Sequence, residues 1–294
     1  MKKLIVFTLI TFTAIGVFAE AKTSVSGVME WDTMRIKAVI TLDLASAGIK
    51  LPVGRTQAES ILSADYFRLI RPAILGLQVD SSSTIADLVN KREFTLPEIE
   101  ALAMSAHFIP PALSPDMRRM SSSYIMPISS VSTALLRHNR PSPVIKTLVP
   151  VSTARYTGIV IIATEKLPNY AMRSSALPVP CLFPKIWDSE MNLIYERSML
   201  EHGMYSTRAP MVRYAPPKDI FQENPSGLTP ELQEIAGERP LRIFASGVFG
   251  LTPTDLIIDR ADALLIISSE ENRRLLSEGR VVIVLDEGVL RREF

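Results

Sequence analysis

The amino-acid sequence predicts an α+β protein, a mixed α/β arrangement of strands and helices along one chain. Two observations near the N-terminus support this class: a stretch that alternates apolar and polar residues, and a longer stretch with helical spacing directly after it. The third is a series of short, Val- and Ile-rich runs in the second half, separated by helical segments. We therefore expect an N-terminal β-hairpin plus helix, followed by a mixed sheet with flanking helices.

The hairpin is predicted over residues 25–43. Its first strand is Val25–Trp31, and its second strand, Met34–Leu42, alternates apolar with polar residues. The long helix is predicted over Arg55–Leu77, where apolar residues recur at helical spacing. Pro72 should kink or restart this helix, because proline lacks the N–H donor that a helix interior needs.

Two short helices with capping residues should follow. Thr84 can accept a hydrogen bond at the start of a helix that ends near Val89. Thr95 can cap a second helix, with Glu98 at its third position, running to about His107.

The second half of the chain has the pattern of a mixed sheet. Strands are predicted at 144–151, 155–163, 181–187, 241–248, 255–259 and 280–286, helices at 260–268 and 269–278, and a strand with a short helix at 121–136. The last strand holds five successive apolar residues, Val281–Leu285, so it should be central and covered on both faces. Residues 216–240 have few apolar anchors and should form a mobile loop.

The first residues have the three parts of a secretory signal. Met1–Lys3 is positively charged, Leu4–Phe18 is apolar, and Ala19–Ala21 offers small residues for cleavage before Glu20 or Lys22. The apolar run is shorter than the ~20 residues of a spanning helix. We therefore expect a signal peptide, a periplasmic mature protein, and no integral membrane segment after cleavage.

The predicted organisation has three parts. The signal peptide occupies 1–19, an N-terminal hairpin–helix region 22–108, and a C-terminal mixed-sheet domain 116–294. The prolines between Ile109 and Pro115 indicate the joint between the last two. Removal of residues 1–19 takes the Lys and Arg count from 32 to 30, against 31 Asp and Glu. This balance gives no electrostatic basis for binding nucleic acid or anionic lipid.

No motif assigns a catalytic, cofactor-binding or metal-ligating residue. The histidines His107, His138 and His202 are far apart and lack metal-ligand spacing. The Gly-x-Ser-x-Gly turn and the phosphate-binding glycine motifs are absent from the sequence. Gly247 and Gly250 instead indicate a turn or a close approach of the backbone.

Three other features have structural interpretations. Cys181 lies between apolar neighbours, which predicts a buried, unreactive thiol. The acids Asp255, Asp259, Asp262, Glu270 and Glu271 could suggest a cation site, but helix-start acids that face solvent explain them better. The aromatic residues Phe183, Trp187 and Tyr195 could line a pocket, although core packing is the default.

Several short segments resemble a known group of proteins. The first two are Tyr156–Ile161 and Pro180–Ile186, and the match continues at Ala245–Gly247 and, near the N-terminus, at Trp31 and Gly54. They resemble exported bacterial envelope proteins of largely unknown function, similar to flagellar outer-ring accessory proteins of the FlgP and FlgT kind and to related envelope lipoproteins. The resemblance implies binding or assembly. Ile162–Glu165 departs from the Asp-Ala-Arg-Gly of that group.

We therefore expect a non-enzymatic periplasmic or envelope protein with a binding or assembly role, whose partners are envelope or flagellar proteins. No cofactor is expected. Two alternatives stay open at this point: an envelope hydrolase with a dispersed active site, and a periplasmic small-ligand-binding protein. The second alternative would need a pocketed, two-lobed α/β fold, for which the sequence gives no clean βαβ series.

Overall fold

The computed structural model describes residues 23–138, 140–201 and 211–294. The predicted signal peptide, its cleavage site and His202 lie outside this part of the chain. The described residues form two sheets with helices packed on them, which confirms the α+β class. Within these ranges, no helix combines the length and the apolar character that crossing a membrane requires.

The first sheet is antiparallel and has five strands. In spatial order they are β14 (Arg291–Glu293), β1 (Thr23–Glu30), β2 (Arg35–Asp43), β4 (Arg119–Pro127) and β3 (His107–Leu113). Strands β1 and β2 form the predicted hairpin. The division predicted between 108 and 116 falls inside this sheet, because β3 and β4 pair with each other and β4 pairs with β2.

Helix α1 (Arg55–Leu75) covers one face of this sheet. Alternate residues of β2, from Ile36 to Leu42, are buried on that face, as the alternation predicts. The helix buries a stripe at helical spacing: Ala58, Leu62, Tyr66, Ile70 and Ile74. It continues past Pro72 and ends before Gly76.

Helices α2 (Ile85–Asn90) and α3 (Leu96–Met104) have the predicted caps. Thr84 and Thr95 each form a reciprocal capping box with the acid three residues later. The predicted extension of α3 to His107 is wrong, because His107 begins β3. Two prolines of the predicted joint, Pro110 and Pro111, lie within this edge strand, which tolerates missing N–H donors on its outer side. Helix α4 (Ile128–Leu135) then follows β4, as predicted.

The second sheet is mixed. Its strands are β5 (Ile159–Ala163), β6 (Leu167–Asn169), β7 (Ser174–Ala176), β8 (Ile186–Asp188), β9 (Leu193–Tyr195), β10 (Arg213–Ala215), β11 (Leu241–Phe249), β12 (Asp255–Ile258) and β13 (Val281–Leu285). The main order is β10-β13-β5-β11-β12-β8-β9. Strand β13 lies between two parallel neighbours with all five residues buried, which confirms the predicted central strand.

Helices flank this sheet: α5 (Pro230–Ala236), α6 (Arg260–Ile267), α7 (Glu270–Ser277) and α8 (Glu287–Leu290). Helices α6 and α7 fall where the sequence predicts them, and Ser269 caps α7. Residues 216–240 are not the predicted loop without anchors. Ile220, Leu228 and Leu232 are buried against Val160 and Val284, because their wide spacing in sequence still places them on one side of the fold.

Three predicted strands are wrong or shortened. The strand predicted over 155–163 begins only at Ile159. Residues 144–151 form no strand, since they find no strand partner and Leu148 and Val149 project outward. In the segment 181–187 only Ile186 and Trp187 enter a strand, because Pro184 breaks the pairing before them.

The last residues of the chain return to the first sheet. Strand β14 pairs antiparallel with β1, and the N–H of Trp31 donates to the carbonyl of Leu290. The Trp31 ring also meets the ring of Tyr214 edge to face, at 5.8 Å between centroids. The chain therefore passes from β13 in the second sheet, through α8, to β14 in the first sheet, and so connects the two sheets.

Candidate functional site

The carboxylate of Asp255, at the start of β12, is a buried polar group that donors from several parts of the chain reach. It accepts from the Ser81 hydroxyl at 2.9 Å, from the Lys185 N–H at 3.1 Å and from the Trp187 indole at 3.5 Å. Burial raises the pKa of Asp255, and these three donors act in the opposite direction. The prediction that this acid faces solvent is wrong, because β12 is an interior strand.

Through its hydrogen bond with Ser81, the Asp255 carboxylate holds the loop around Ser81 against the second sheet. The N–H groups of Leu182 and Phe183 donate to the carbonyls of Gln78 and Val79, and the N–H of Thr252 donates to the carbonyl of Ser81. A Cβ at Gly250, whose φ is +117°, would lie 2.3 Å from the Ser81 Cβ. The predicted close approach at Gly250 is therefore confirmed, and its partner is Ser81.

Gly247 and Cys181 also agree with the sequence analysis. A Cβ at Gly247 would meet the Tyr170 ring at 2.6 Å. Cys181 is buried, and burial raises the pKa of its thiol. Its backbone N–H donates to the Tyr214 hydroxyl at 3.1 Å, and that hydroxyl donates to the Cys181 carbonyl at 2.9 Å. A buried neutral thiol is a poor nucleophile.

Asp188 and Asn272 are two buried polar residues that sequence reasoning missed. Asp188 accepts from Asn192 and pairs with Arg260; burial alone would raise its pKa, but these hydrogen bonds lower it. The Asn272 amide donates to the Ala154 and Leu265 carbonyls, both at 2.9 Å. Neither residue lies in a recognisable motif, and only the tertiary fold brings their partners together.

The remaining candidates do not form a reactive group. His107 is exposed on β3, and the His138 Nε2 lies 2.9 Å from the Leu200 carbonyl oxygen. Asp259, Glu270 and Glu271 are exposed near helix starts, as predicted. Phe183 and Tyr195 are buried, which supports core packing. In the described ranges, no cluster of three His, Cys, Asp or Glu side chains could hold a metal ion.

Two of the concave surfaces on the described part of the chain bear on a possible binding site. The first is a cleft of about 530 Å³ beside α7, lined by Glu201, Glu270, Arg273 and Arg274 among others. Its charged groups are largely bonded to the fold: Arg273 donates to the Ile267 carbonyl, Arg274 pairs with Glu278, and Glu201 accepts from Ser277. The second is an apolar groove of about 410 Å³ between α1 and the β1–β14 edge.

Two regions of the chain match family models. Residues 22–134 match the N-terminal domain of Treponema pallidum Tp0624, and residues 158–287 match its second domain. Both regions are thus similar to domains of one protein. The first region covers β1 to α4, and the second covers β5 to the start of α8.

The order of the two Tp0624-like regions follows the two sheets, apart from the returning strand β14. These family descriptions name domains and assign no activity. Neither one names a flagellar protein or an envelope lipoprotein, so that part of the resemblance stays a prediction. A search of curated proteins gave no match.

Proposed function

We propose that this protein is an exported, non-enzymatic component of the bacterial envelope that binds other protein subunits. Three features support the proposal: the signal-like N-terminus, the balanced charge, and the way in which the fold uses its buried polar groups. Association with the flagellar basal body is the finer form of the same proposal, and it rests on the sequence resemblance alone.

The use of the buried polar groups is the observation that carries the proposal. Asp255 and Asn272 each bond to two other segments of the chain, and Asp188 bonds within its own turn and to Arg260 on α6. A catalytic group instead needs a donor or acceptor atom that faces a cavity and is free to bond the substrate. Their hydrogen bonds hold segments together, which favours a scaffold that acts through its surface.

Small-ligand binding is the second candidate, because the cleft beside α7 has a volume typical of ligand pockets. It predicts that substitution of Arg273 or Glu201 changes ligand affinity. The subunit-binding proposal predicts that neither substitution changes association with envelope proteins.

The proposal can be tested with the tagged full-length chain in the cell that makes it. We expect the protein in the periplasmic or envelope fraction, shortened by 19–21 residues and held in a complex larger than one subunit. A matched chain that lacks residues 1–19 should stay in the cytoplasm. A monomer in the envelope fraction, even after mild cross-linking, would contradict the binding role.

A further inference from the structure

We propose that this protein assembles head to tail, with the loop Lys146–Pro150 of one copy seated in the apolar groove beside α1 of the next copy. The proposal rests on the subunit-binding function above and names the partner as a second copy of the same chain. Two features carry it: an exposed apolar loop, and a groove that can receive it.

The loop presents aliphatic side chains directly to solvent. Leu148 is 99% exposed and Val149 is 77% exposed, and Pro150 beside them is also exposed. The loop lies between the two Tp0624-like regions, which end at 134 and start again at 158. Two adjacent large aliphatic side chains at a loop tip have no role in the core of their own subunit, so they are suited to burial elsewhere.

Both ends of the loop are anchored to the second sheet's helices and turns. On one side the Ser142 N–H donates to the Ser198 carbonyl at 2.7 Å. On the other side the Val151 N–H donates to the Ser268 hydroxyl at 3.0 Å, and the Asn272 amide holds the carbonyl of Ala154. A loop anchored in this way loses little conformational freedom when it docks.

The tip itself is shaped by local bonds. The Thr147 hydroxyl donates to the Val149 carbonyl at 3.1 Å and accepts from the Val149 N–H at 3.3 Å. Pro150 fixes its own φ angle immediately afterwards. Together these features hold Leu148 and Val149 in a defined outward position before any partner arrives.

The groove has matching chemistry. Its apolar lining comes from α1 and the facing edge of the first sheet, and includes Val25, Met29, Leu69, Pro72, Ala73 and Phe294. A volume of about 410 Å³ leaves room for two aliphatic side chains. Arg292 and Glu293 also line the groove and carry one charge of each sign, so the groove has no net charge that would repel Lys146.

The composition of the loop favours a protein groove over a lipid surface. Lys146–Val151 contains one charged residue and no aromatic residue. Segments that dock on membranes combine aromatic side chains with several cations. Because loop and groove are different surfaces, the contact is heterologous, and repetition of it builds a ring or a filament.

The test compares Leu148→Ser and Ala73→Arg, which remove the loop anchor and fill the groove respectively. Val53→Ser is the matched control, since Val53 is 94% exposed outside both surfaces. In sedimentation velocity over a concentration series, the wild type and the Val53→Ser variant should associate. Each of the other two variants should lose about 10-fold or more in association constant, because a leucine anchor is no longer buried.

Mixing the two defective variants gives the decisive result. Leu148→Ser retains its groove and Ala73→Arg retains its loop, so the mixture should form one heterodimer that cannot extend further. Circular dichroism of each variant alone should match the wild type. A mixture that stays monomeric, a wild type that does not associate, or binding of the wild type to phosphatidylglycerol vesicles through Leu148 would overturn the proposal.

These results separate the inference from the function beneath it. If the purified protein is a monomer but the envelope complex persists, head-to-tail assembly is wrong and subunit binding stands. If the envelope complex is also missing, both are wrong.

Discussion

The hydroxyl of Tyr66 offers a sharp test of how the first sheet is packed. Tyr66 is 2% exposed, and its ring stacks on that of Tyr124 with 3.9 Å between centroids. Within the described part of the chain, its hydroxyl has no hydrogen-bond partner. Leaving a buried hydroxyl unpaired costs about 1–3 kcal/mol. Tyr66→Phe should therefore raise the free energy of unfolding by about 1 kcal/mol.

Tyr214→Phe also removes a buried tyrosine hydroxyl, but this one has hydrogen-bond partners. The Tyr214 hydroxyl bonds to both the N–H and the carbonyl of Cys181. Its loss leaves two buried main-chain groups unpaired, so the free energy of unfolding should fall by about 2–4 kcal/mol. Urea unfolding at neutral pH, followed by circular dichroism, measures both changes. Equal destabilisation by the two substitutions would show that the two hydroxyls do not differ in their hydrogen bonding.

The pH dependence of Tyr66 gives a second readout of the same setting. Burial raises the pKa of the Tyr66 hydroxyl, so the folded state favours its neutral form. The contribution of the neutral hydroxyl to the free energy of unfolding is fully present below about pH 10, the pKa of tyrosine in the unfolded chain. This contribution is lost as the pH rises above that value. Stability above pH ~10 should therefore fall less steeply in Tyr66→Phe than in the wild type. Identical alkaline profiles would contradict burial of this hydroxyl.

The other predictions concern four separate positions. Ile40→Asp should lower the free energy of unfolding by about 2–5 kcal/mol, because it places a charge under α1; an unchanged melting temperature would show that this face is exposed. Asp255→Asn should change stability by less than about 1 kcal/mol, since the amide can still bond Ser81 and Lys185, whereas Asp255→Ala should cost about 2–4 kcal/mol in thermal melts. Cys181 should react with a thiol reagent far more slowly in the folded than in the denatured protein, and equal rates would disprove its burial. A chain that ends at Gly279 lacks β13 and should be unfolded or insoluble; a cooperative melt near the full-length temperature would refute its central role.

Local chemistry explains which elements the sequence predicts well. The boxes at Thr84 and Thr95 are complete within four residues, so helices α2 and α3 begin where expected. The alternation in β2 and the continuous apolar run of β13 likewise report how many faces of each strand are covered. Each pattern predicts from the sequence alone which faces of its strand are buried, and the structure confirms both predictions.

Elements that depend on distant partners are not visible in this way. Strand β14 reads Arg-Arg-Glu and has no strand signature; it becomes a strand because β1 leaves an edge beside it. Leu148 and Val149 have the composition of a strand, yet they project from the surface because no strand lies next to them. In both places the presence or absence of a neighbouring strand, and not the strand propensity of the residues, decides whether a strand forms.

The same distinction applies to the candidate site. Cys181 and Gly250 could be interpreted from their immediate neighbours, and their burial and close approach agree with that reading. The burial of Asp255 could not be predicted from its neighbours in sequence, because its nearest partner, Ser81, lies 174 residues away. One signal was available, since Asp255 opens an apolar run that ends at Ile258, and an acid in such a run is a candidate for burial.

We propose that the protein is exported and then acts by binding other subunits. Native mass spectrometry of the protein, released gently from the periplasm of the cell that makes it, tests both parts at once. We predict a subunit mass that lacks the first 19–21 residues, and an assembled mass that contains more than one subunit. A subunit that retains Met1 to Phe18, or a processed subunit found only as a monomer, would contradict the claim.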